Sequence, residues 1–501
     1  MPQTLTLTNV RRLDLSTGRL GPRGDLHVVE GRIARTGHPD AQVIDGGAGV
    51  DGGEGVVMPG LWDAHVHMAQ WAMSSRWVDV STARSPQQAA ALMAAATRDP
   101  SDPVLVGFGF RDSTWSQSPT ADVLDAAIGD HPTVVISHDV HATWLNTAAI
   151  AHFGVATQTG LLQEQPAFEL QTRLGDLPVC VLDRWVEECA RRAAAQGVVG
   201  LVDLTMAWNP ADWRRRFDQG FSSLRVRAGV YPQHLDRVAA EGLRGGQVLD
   251  AEGWLTLGPL KVITDGSLTA RTAWCREPFH STGTGDPLPG QEHGVRSVDM
   301  DELVGLMRRA SGRGMECAVH AIGDLAVSQA LDAFAETGAR GSIEHAQLIS
   351  PDDIVRMAAL GVRASVQPAH LLDDHEAMDA LWAGRTEHAF PLASMLSAGV
   401  ELALGSDAPV ARLDPWLAIE TAVRRAAGTD EGWHQEQSLT VSQALVASTR
   451  GVHSLVVGAE ADLVVLPVSP FEVPPDQLHS ISPTLTMVGG RPTWRAPRAV
   501  A

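Results

Sequence analysis

The chain of 501 residues contains very few cysteines and no long apolar run. Its four cysteines (Cys180, Cys189, Cys275 and Cys317) form no CxxC pair and are too few to staple a chain of this length. We expect reduced thiols and a cytoplasmic protein. No run of about 18 uncharged apolar residues occurs, and the start of the sequence lacks a basic stretch followed by an apolar one. The sequence therefore predicts neither a membrane span nor a secretory signal.

Positive charge is also scarce. Lysine and arginine total 39 against 59 aspartates and glutamates, a formal net charge of −20. Because such a surface repels phosphate backbones, we expect no nucleic acid as a partner. A small-molecule substrate is the expected partner, and assembly into a homo-oligomer is left open. Hydrophobic content of 44% and charged content of 20% are ordinary for a globular protein, which excludes extensive disorder.

The scarcest functional group is the primary amine, since Lys261 is the only lysine and the other 38 basic residues are arginine. A guanidinium stays protonated and is a poor nucleophile, so arginine cannot replace lysine where the chemistry needs an amine. Lys261 is therefore a candidate functional residue. Chance survival of one lysine explains the observation equally well at this point.

Both ends of the chain, 1–58 and 451–501, have strand-like patterns flanked by glycine and proline, and they predict a small β-sandwich built from both termini. The segment 59–450 alternates short apolar strands with amphipathic helices, which is typical of a parallel α/β fold. Eight strand candidates are enough to close a (β/α)8 barrel. They are 60–67, 133–138, 197–204, 259–265, 315–320, 341–345, 362–368 and 400–407. The segments 68–132 and 144–196 are too long for single crossovers and predict insertions over the carboxyl-terminal mouth of the barrel.

Histidines and an aspartate lie where these predicted strands end. His65 and His67 are two residues apart on the first strand, so both point to the same side, and such a pair suits a divalent metal such as zinc. His320 ends the fifth candidate strand, His345 ends the sixth and Asp407 lies by the eighth. Lys261 is on the fourth. Side chains at these positions can converge over the barrel mouth, which predicts a metal site.

A protonated lysine would repel a metal, so Lys261 needs a chemical explanation. Its amine can add carbon dioxide to give a carbamate, an anionic ligand with two oxygens that can bridge two cations. The alternative is a cationic lysine that pairs with Asp265 or binds an anionic substrate. We favour the carbamate.

Several segments resemble the amidohydrolase superfamily, in particular its branch that contains N-substituted formamide deformylase. They are PGLWDAHVH, KVITDGSLTARTA, AVHAIGDLAV, SIEHAQLISPDDI, ASVQPAH and LALGSDAPVARLDP. The resemblance implies a (β/α)8 barrel with a flanking β-sandwich. It also implies one metal on His65, His67 and Asp407, a second on His320 and His345, and carboxylated Lys261 between them.

The expected activity is cleavage of a non-peptide C–N bond in an acyclic amide, an N-substituted formamide by resemblance, with two divalent metals, zinc by preference. A water shared by two cations has a lowered pKa, and Asp407 would accept its proton and pass it to the leaving amine. His141, Arg271 and His370 are candidate substrate contacts. Alternatives are hydrolysis of a cyclic amide, ester or lactone, deamination of a heterocycle, and a non-catalytic regulatory protein.

Tryptophans near the predicted mouth loops indicate an apolar N-substituent, although buried packing is the commoner fate of this residue. They are Trp62, Trp71, Trp77, Trp115 and Trp144.

Overall fold

The structure is a computed structural model, and the chain divides into two compact units. One comprises Met1–Met68 and Ala190–Ala501, and the other comprises Ala69–Cys189. The residues that the structure describes are 4–47, 53–96, 102–110, 115–137, 142–163, 165–174, 178–268, 271–280, 290–426 and 432–497.

Eight parallel strands form the centre of the first unit. In chain order they are β1 (Leu61–Val66), β2 (Val198–Asp203), β3 (Arg225–Val230), β4 (Leu255–Ile263), β5 (Cys317–Ala321), β6 (Gly341–His345), β7 (Arg363–Val366) and β8 (Leu402–Leu404). Each strand pairs with the next one in this series. A parallel bridge between Val66 and Ala408 brings the end of β1 to the segment after β8 and nearly closes the sheet. The predicted (β/α)8 barrel is confirmed.

Amphipathic helices follow the barrel strands from β2 onward. They are α1 (Asn209–Asp218), α2 (Leu235–Ala240), α3 (Met300–Ser311), α4 (Asp324–Thr337), α5 (Pro351–Leu360), α6 (His370–Leu381), α7 (Leu392–Ser397), α8 (Pro415–Arg424) and α9 (Val441–Ser448). Helix α5 illustrates how sequence sets the ends: Ser350 accepts a hydrogen bond from the Asp353 N–H, and Gly361 closes the helix with φ of 64°. These short helices return the chain to the amino-terminal end of the barrel.

One predicted barrel strand is wrong and one real strand was not predicted. Thr133–Ser137 is a strand, but it pairs within a separate five-stranded sheet of the second unit. The third barrel strand is instead Arg225–Val230. Its arginines interrupt the apolar pattern because Arg227 lies at the amino-terminal end of the barrel interior and forms an ion pair with Glu316 at 2.8 Å. A partly buried ion pair thus replaces the apolar contacts on which pattern recognition depends.

Strands from both ends of the chain pair in one eight-stranded mixed sheet. They are Leu5–Leu13, Leu20–Val29, Arg32–Ala34, Gln42–Asp45, Gly55–Pro59, Leu463–Leu466, Leu485–Val488 and Arg491–Arg495. The ends join where Gly55–Pro59 runs antiparallel to Leu463–Leu466. Alternate apolar side chains, among them Leu5, Leu7 and Val465, form a separate core. This is the β domain that the sequence predicts, and the predicted borders at 58 and 451 stay predictions.

The second unit has its own sheet and core. Its strands are Val78–Asp79, Leu105–Phe110, Thr133–Ser137, Ala142–Leu145 and Leu161–Gln163. Its helices are Pro86–Ala95, Ala121–Ile128, Thr147–Phe153 and Gln165–Leu174, and the helices Met68–Ser74 and Val179–Ala195 contain its borders. The prediction that this inserted unit lies over the carboxyl-terminal mouth of the barrel stays a prediction.

Two further expectations concern the chain as a whole. Among the described helices, none is long and apolar enough to cross a membrane. All four cysteines lie in described segments and form no disulfide, with Cys180 exposed and the other three buried.

Candidate metal centre

Three predicted ligands converge at the carboxyl-terminal end of the barrel. One donor atom each from His65, His345 and Asp407 lies within 4.8 Å of the other two, an arrangement that could hold a metal ion. The three side chains are buried. They come from β1, from β6 and from the segment just after β8, so only the closed barrel brings them together.

Hydrogen bonds between β1 and the segment after β8 fix this part of the site. The Asp407 N–H donates to the His65 carbonyl at 2.7 Å, and the His67 N–H donates to the Ala408 carbonyl at 2.9 Å. The Asp407 Oδ1 atom is then 3.3 Å from His65 Nε2 and 3.1 Å from His67 Nε2. Burial opposes ionisation of Asp407, but the nearby His65 and His67 hold the pKa of its carboxyl well below the usual value. Two imidazoles and an ionised carboxylate therefore share one location.

Lys261 reaches the same location from β4. Its Nζ atom is 3.4 Å from His65 Nε2, and the side chain is buried. Burial lowers the pKa of the amine, and the charges of Glu344 and Asp407 act in the opposite direction. Among the described residues no carboxylate is at ion-pair distance from this amine. The Asp265 carboxylate accepts backbone N–H groups of Trp274, Ile322 and Gly323 instead, so the pairing with Asp265 is not the arrangement found.

His320 and His345 form the other half of the cluster, with ring centroids 4.5 Å apart. The Nε2 atom of His320 is 3.1 Å from the Gly266 carbonyl, so the proton is on Nε2 and the Nδ1 lone pair is free to bind. Burial, helped by the charge of Lys261, lowers the pKa of His320 to about 3. Burial also lowers the pKa of His345 well below its usual value. Both are neutral imidazoles, the form that binds metals.

Among the described residues, His345 has a ring nitrogen without a hydrogen-bond partner. Within the part of the chain that the structure describes, His345 Nδ1 is buried without a hydrogen bond. Buried polar atoms are normally satisfied, so an orphaned imidazole nitrogen beside four other donor side chains fits a metal ligand. The donor set of neutral imidazoles with one carboxylate suits a transition metal such as zinc.

Two of these residues also have unusual backbone conformations. His345 has φ of 72° and Asp407 has φ of 57°, both in the left-handed region that non-glycine residues seldom adopt. Such strain persists only where the surroundings impose it, and it is concentrated at functional sites. The strained positions here coincide with the converging donors.

The three predicted substrate contacts have different outcomes. His370 begins α6 and reaches the cluster, since its Nε2 atom is 3.9 Å from Asp407 Oδ2 and its ring stacks on His345. Arg271 lies in the loop after β4, where its N–H donates to the Leu268 carbonyl, and the role of its side chain stays a prediction. His141 lies outside the described residues.

Sequence reasoning missed three polar residues near the cluster. Glu344, adjacent to His345, has Oε2 at 2.8 Å from His65 Nδ1. The Asp63 Oδ1 atom accepts the backbone N–H groups of His65 and Ser406, each at 3.0 Å, and burial raises the pKa of Asp63 to about 6. Tyr231, the only tyrosine, follows the unpredicted strand β3 and donates its hydroxyl to the Leu204 carbonyl at 3.0 Å. The available signal was position, because each is within two residues of a predicted ligand or of a strand end.

The tryptophans do not support the predicted apolar pocket. Trp62 lines a polar cavity of about 140 Å³ at the amino-terminal end of the barrel, together with Arg227 and Arg363. Trp115 and Trp144 are buried in the core of the second unit. Trp62 therefore lies at the opposite end of the barrel from the metal centre, and Trp115 and Trp144 have packing roles within their own unit.

Comparison with known proteins identifies the family to which the chain is similar. Residues 48–494 match the model of the amidohydrolase family. The putative amidohydrolase YtcJ of Bacillus subtilis (strain 168) is 27% identical, over 87% of this chain and 88% of that protein. The N-substituted formamide deformylase of Arthrobacter pascens is 26% identical, over 95% and 93% respectively.

A solved structure is similar in fold. An uncharacterized metal-dependent hydrolase from Pyrococcus horikoshii OT3 superposes with a TM-score of 0.79 at 24% identity, over 94% of this chain and 99% of that one. The resemblance inferred from the motifs is thus confirmed at the level of the superfamily. Because the family model spans most of the sequence, this chain belongs to the amidohydrolase family.

Proposed function

We propose that the protein is a metal-dependent hydrolase that cleaves the C–N bond of an acyclic amide, with N-substituted formamides as the substrate class. The observation that carries the proposal is the convergence of His65, His345 and Asp407 donor atoms within 4.8 Å. Similarity to the deformylase of Arthrobacter pascens supports the choice of formamides. We further propose that the substrate is a small molecule and that the protein acts in the cytoplasm.

The ligands would be divided between two divalent ions, preferably zinc. His65, His67 and Asp407 would hold one ion, and His320 and His345 would hold the other. Nitrogen-rich sites with a carboxylate are typical of zinc. When bound, the metal pair supplies Lewis-acid polarisation of a carbonyl and a water of lowered pKa.

Lys261 would contribute to both ions as a carbamate. Its uncharged amine attacks carbon dioxide, a C–N bond forms, and one proton is released, which leaves an anionic ligand with two oxygens. The absence of a carboxylate at ion-pair distance from Nζ among the described residues supports this role, because a lysine held as a cation would be expected to have such a partner.

Asp407 would transfer the proton of the reaction. Its Oδ1 atom faces His65 and His67, and its Oδ2 atom faces His370. The carboxylate accepts a proton from the attacking water and delivers it to the departing nitrogen, so that water and formamide give formate and amine. The buried Nε2 atom of His370 has no hydrogen bond among the described residues and is available to the substrate.

The test is formate release from purified protein that is first stripped of metal and then reconstituted with zinc and bicarbonate. We expect no turnover without metal, two equivalents of zinc at full activity, and formate from N-benzylformamide or another N-substituted formamide. Asp407→Asn should be inactive. The control Glu401→Gln, which removes an ion pair with Arg363 at the opposite end of the barrel, should keep activity.

Two results would contradict the proposal. Full activity with a single equivalent of zinc would refute the binuclear site. Turnover of a lactone or an aminopyrimidine with no formate from any formamide would refute the substrate class.

A further inference from the structure

The carboxylate of Glu344 is buried directly behind a proposed metal ligand. Glu344 is 2% exposed, and its Oε2 atom is 2.8 Å from His65 Nδ1. The neighbouring His345 also contacts His65, with ring centroids 5.2 Å apart. Successive side chains of a regular strand point to opposite faces. The left-handed backbone of His345, with φ of 72°, is a local departure from that pattern which lets both residues face His65.

Both oxygens of this carboxylate have partners. The Oε1 atom accepts a hydrogen bond from the Ser342 hydroxyl at 2.6 Å, two residues earlier on β6. The carboxylate is therefore fixed at two points, and its orientation toward His65 does not depend on solvent. Such doubly anchored groups hold a ligand more precisely than a single mobile contact does.

The hydrogen bond determines which nitrogen of His65 carries the proton. A carboxylate only accepts, so the 2.8 Å contact requires a proton on Nδ1. Gln367 Nε2 is also near Nδ1, at 3.4 Å, but it donates to the Ser365 carbonyl at 3.2 Å. The shorter contact with the carboxylate prevails. The lone pair is then on Nε2, which is 3.3 Å from Asp407 Oδ1 and 3.4 Å from Lys261 Nζ.

We infer that Glu344 is a positioning residue, which holds His65 in the Nδ1–H tautomer and aims Nε2 at the metal. The inference rests on the proposed metal site. His320 is held in a comparable way, but by the backbone carbonyl of Gly266, which no substitution can remove. At His65 the corresponding partner is the side chain of Glu344, so its role can be tested by substitution. Loss of such a partner commonly weakens metal affinity about 10- to 100-fold.

The experiment measures zinc affinity of the full-length protein by competition with a chromophoric chelator, together with the visible spectrum of the cobalt-substituted protein. Glu344→Gln keeps the shape and can still accept from Nδ1 as a neutral amide, so we expect a loss of roughly 10-fold. Glu344→Ala removes the acceptor, and we expect a loss of about 100-fold with a changed cobalt spectrum. Ser342→Ala should have a smaller effect in the same direction.

Glu316→Gln is the matched control, because Glu316 lines the same interior cavity as Glu344 but pairs with Arg227. Its zinc affinity and cobalt spectrum should equal those of the wild type. Should Glu344→Ala fail to fold, Glu344→Gln decides the question alone. Wild-type affinity and spectrum in the folded Glu344 variants would overturn the inference and leave the proposed function intact. A wild-type protein that binds no zinc would overturn both.

Discussion

Replacing Lys261 by methionine removes the only side-chain primary amine and keeps an unbranched side chain of similar length. In the described residues the amine has one neighbour at hydrogen-bonding distance, His65 Nε2, and that contact is long at 3.4 Å. Losing it costs at most about 0.5–1.5 kcal/mol. Burying a thioether in place of an amine stabilises the folded state by a similar free energy, about 0.8 kcal/mol per methylene equivalent. We therefore expect the metal-free variant to unfold with a free energy within about 1.5 kcal/mol of the wild type.

The metal-bound state should differ much more. Zinc at 100 times its dissociation constant stabilises the wild type by about 2.7 kcal/mol, and Lys261→Met should lose most of this increment and the turnover. The assay is thermal unfolding with and without zinc, combined with elemental analysis and formate release. A Lys261→Met protein with two equivalents of zinc and near-normal turnover would refute the carbamate.

The arginine variant separates the two roles considered for this residue. Lys261→Arg keeps a positive charge but cannot form a carbamate, so it should be as inactive as the methionine variant. An active arginine variant with an inactive methionine variant would show that the residue acts through its charge.

Two further predictions test the surroundings of the site. Asp63→Ala leaves the backbone N–H groups of His65 and Ser406 without an acceptor, and it should lower the free energy of unfolding in urea by about 2–5 kcal/mol. Asp63→Asn keeps Oδ1 and removes a carboxyl of raised pKa, so it should cost under about 1 kcal/mol. Equal losses in the two variants would contradict the role of Asp63 as the acceptor of these two N–H groups. Trp62→Phe should leave the kcat/KM ratio between N-benzylformamide and N-methylformamide unchanged, because Trp62 faces the cavity at the other end of the barrel, and an altered ratio would restore it as a substrate contact.

The convergence of His65, His345 and Asp407 could be predicted from the sequence because parallel barrel strands end at the same mouth. His65, His320 and His345 all lie at or near the last residue of a strand. Parallel strands of one barrel bring such positions together whatever the connecting segments do. The positions of the motifs at strand ends were therefore enough to predict that these side chains converge, even though one barrel strand was misassigned.

The misassignment has a physical cause. Thr133–Ser137 is fully buried, and a short apolar run does not show which sheet it joins. Arg225–Val230 was missed because Arg227, which faces inward to Glu316, is a charged residue inside the strand. A charged residue within a short segment is typical of a polar loop. Tyr231 was not predicted as a site residue because it follows that unpredicted strand. Glu344 lies next to His345 in the sequence, but its contact with His65 depends on the backbone conformation of His345, which the sequence does not reveal.

The bridge between Val66 and Ala408 joins segments that are made far apart in time. Roughly 340 residues separate the two partners, and a ribosome adding about 5–20 residues per second needs roughly 17–70 seconds for that length. During this interval His65 and His67 are outside the ribosome while Asp407 does not yet exist. If the proposed ligand set is right, the nascent chain presents two of its histidines before the carboxylate exists, and the complete site would form only after the last barrel strand is in place.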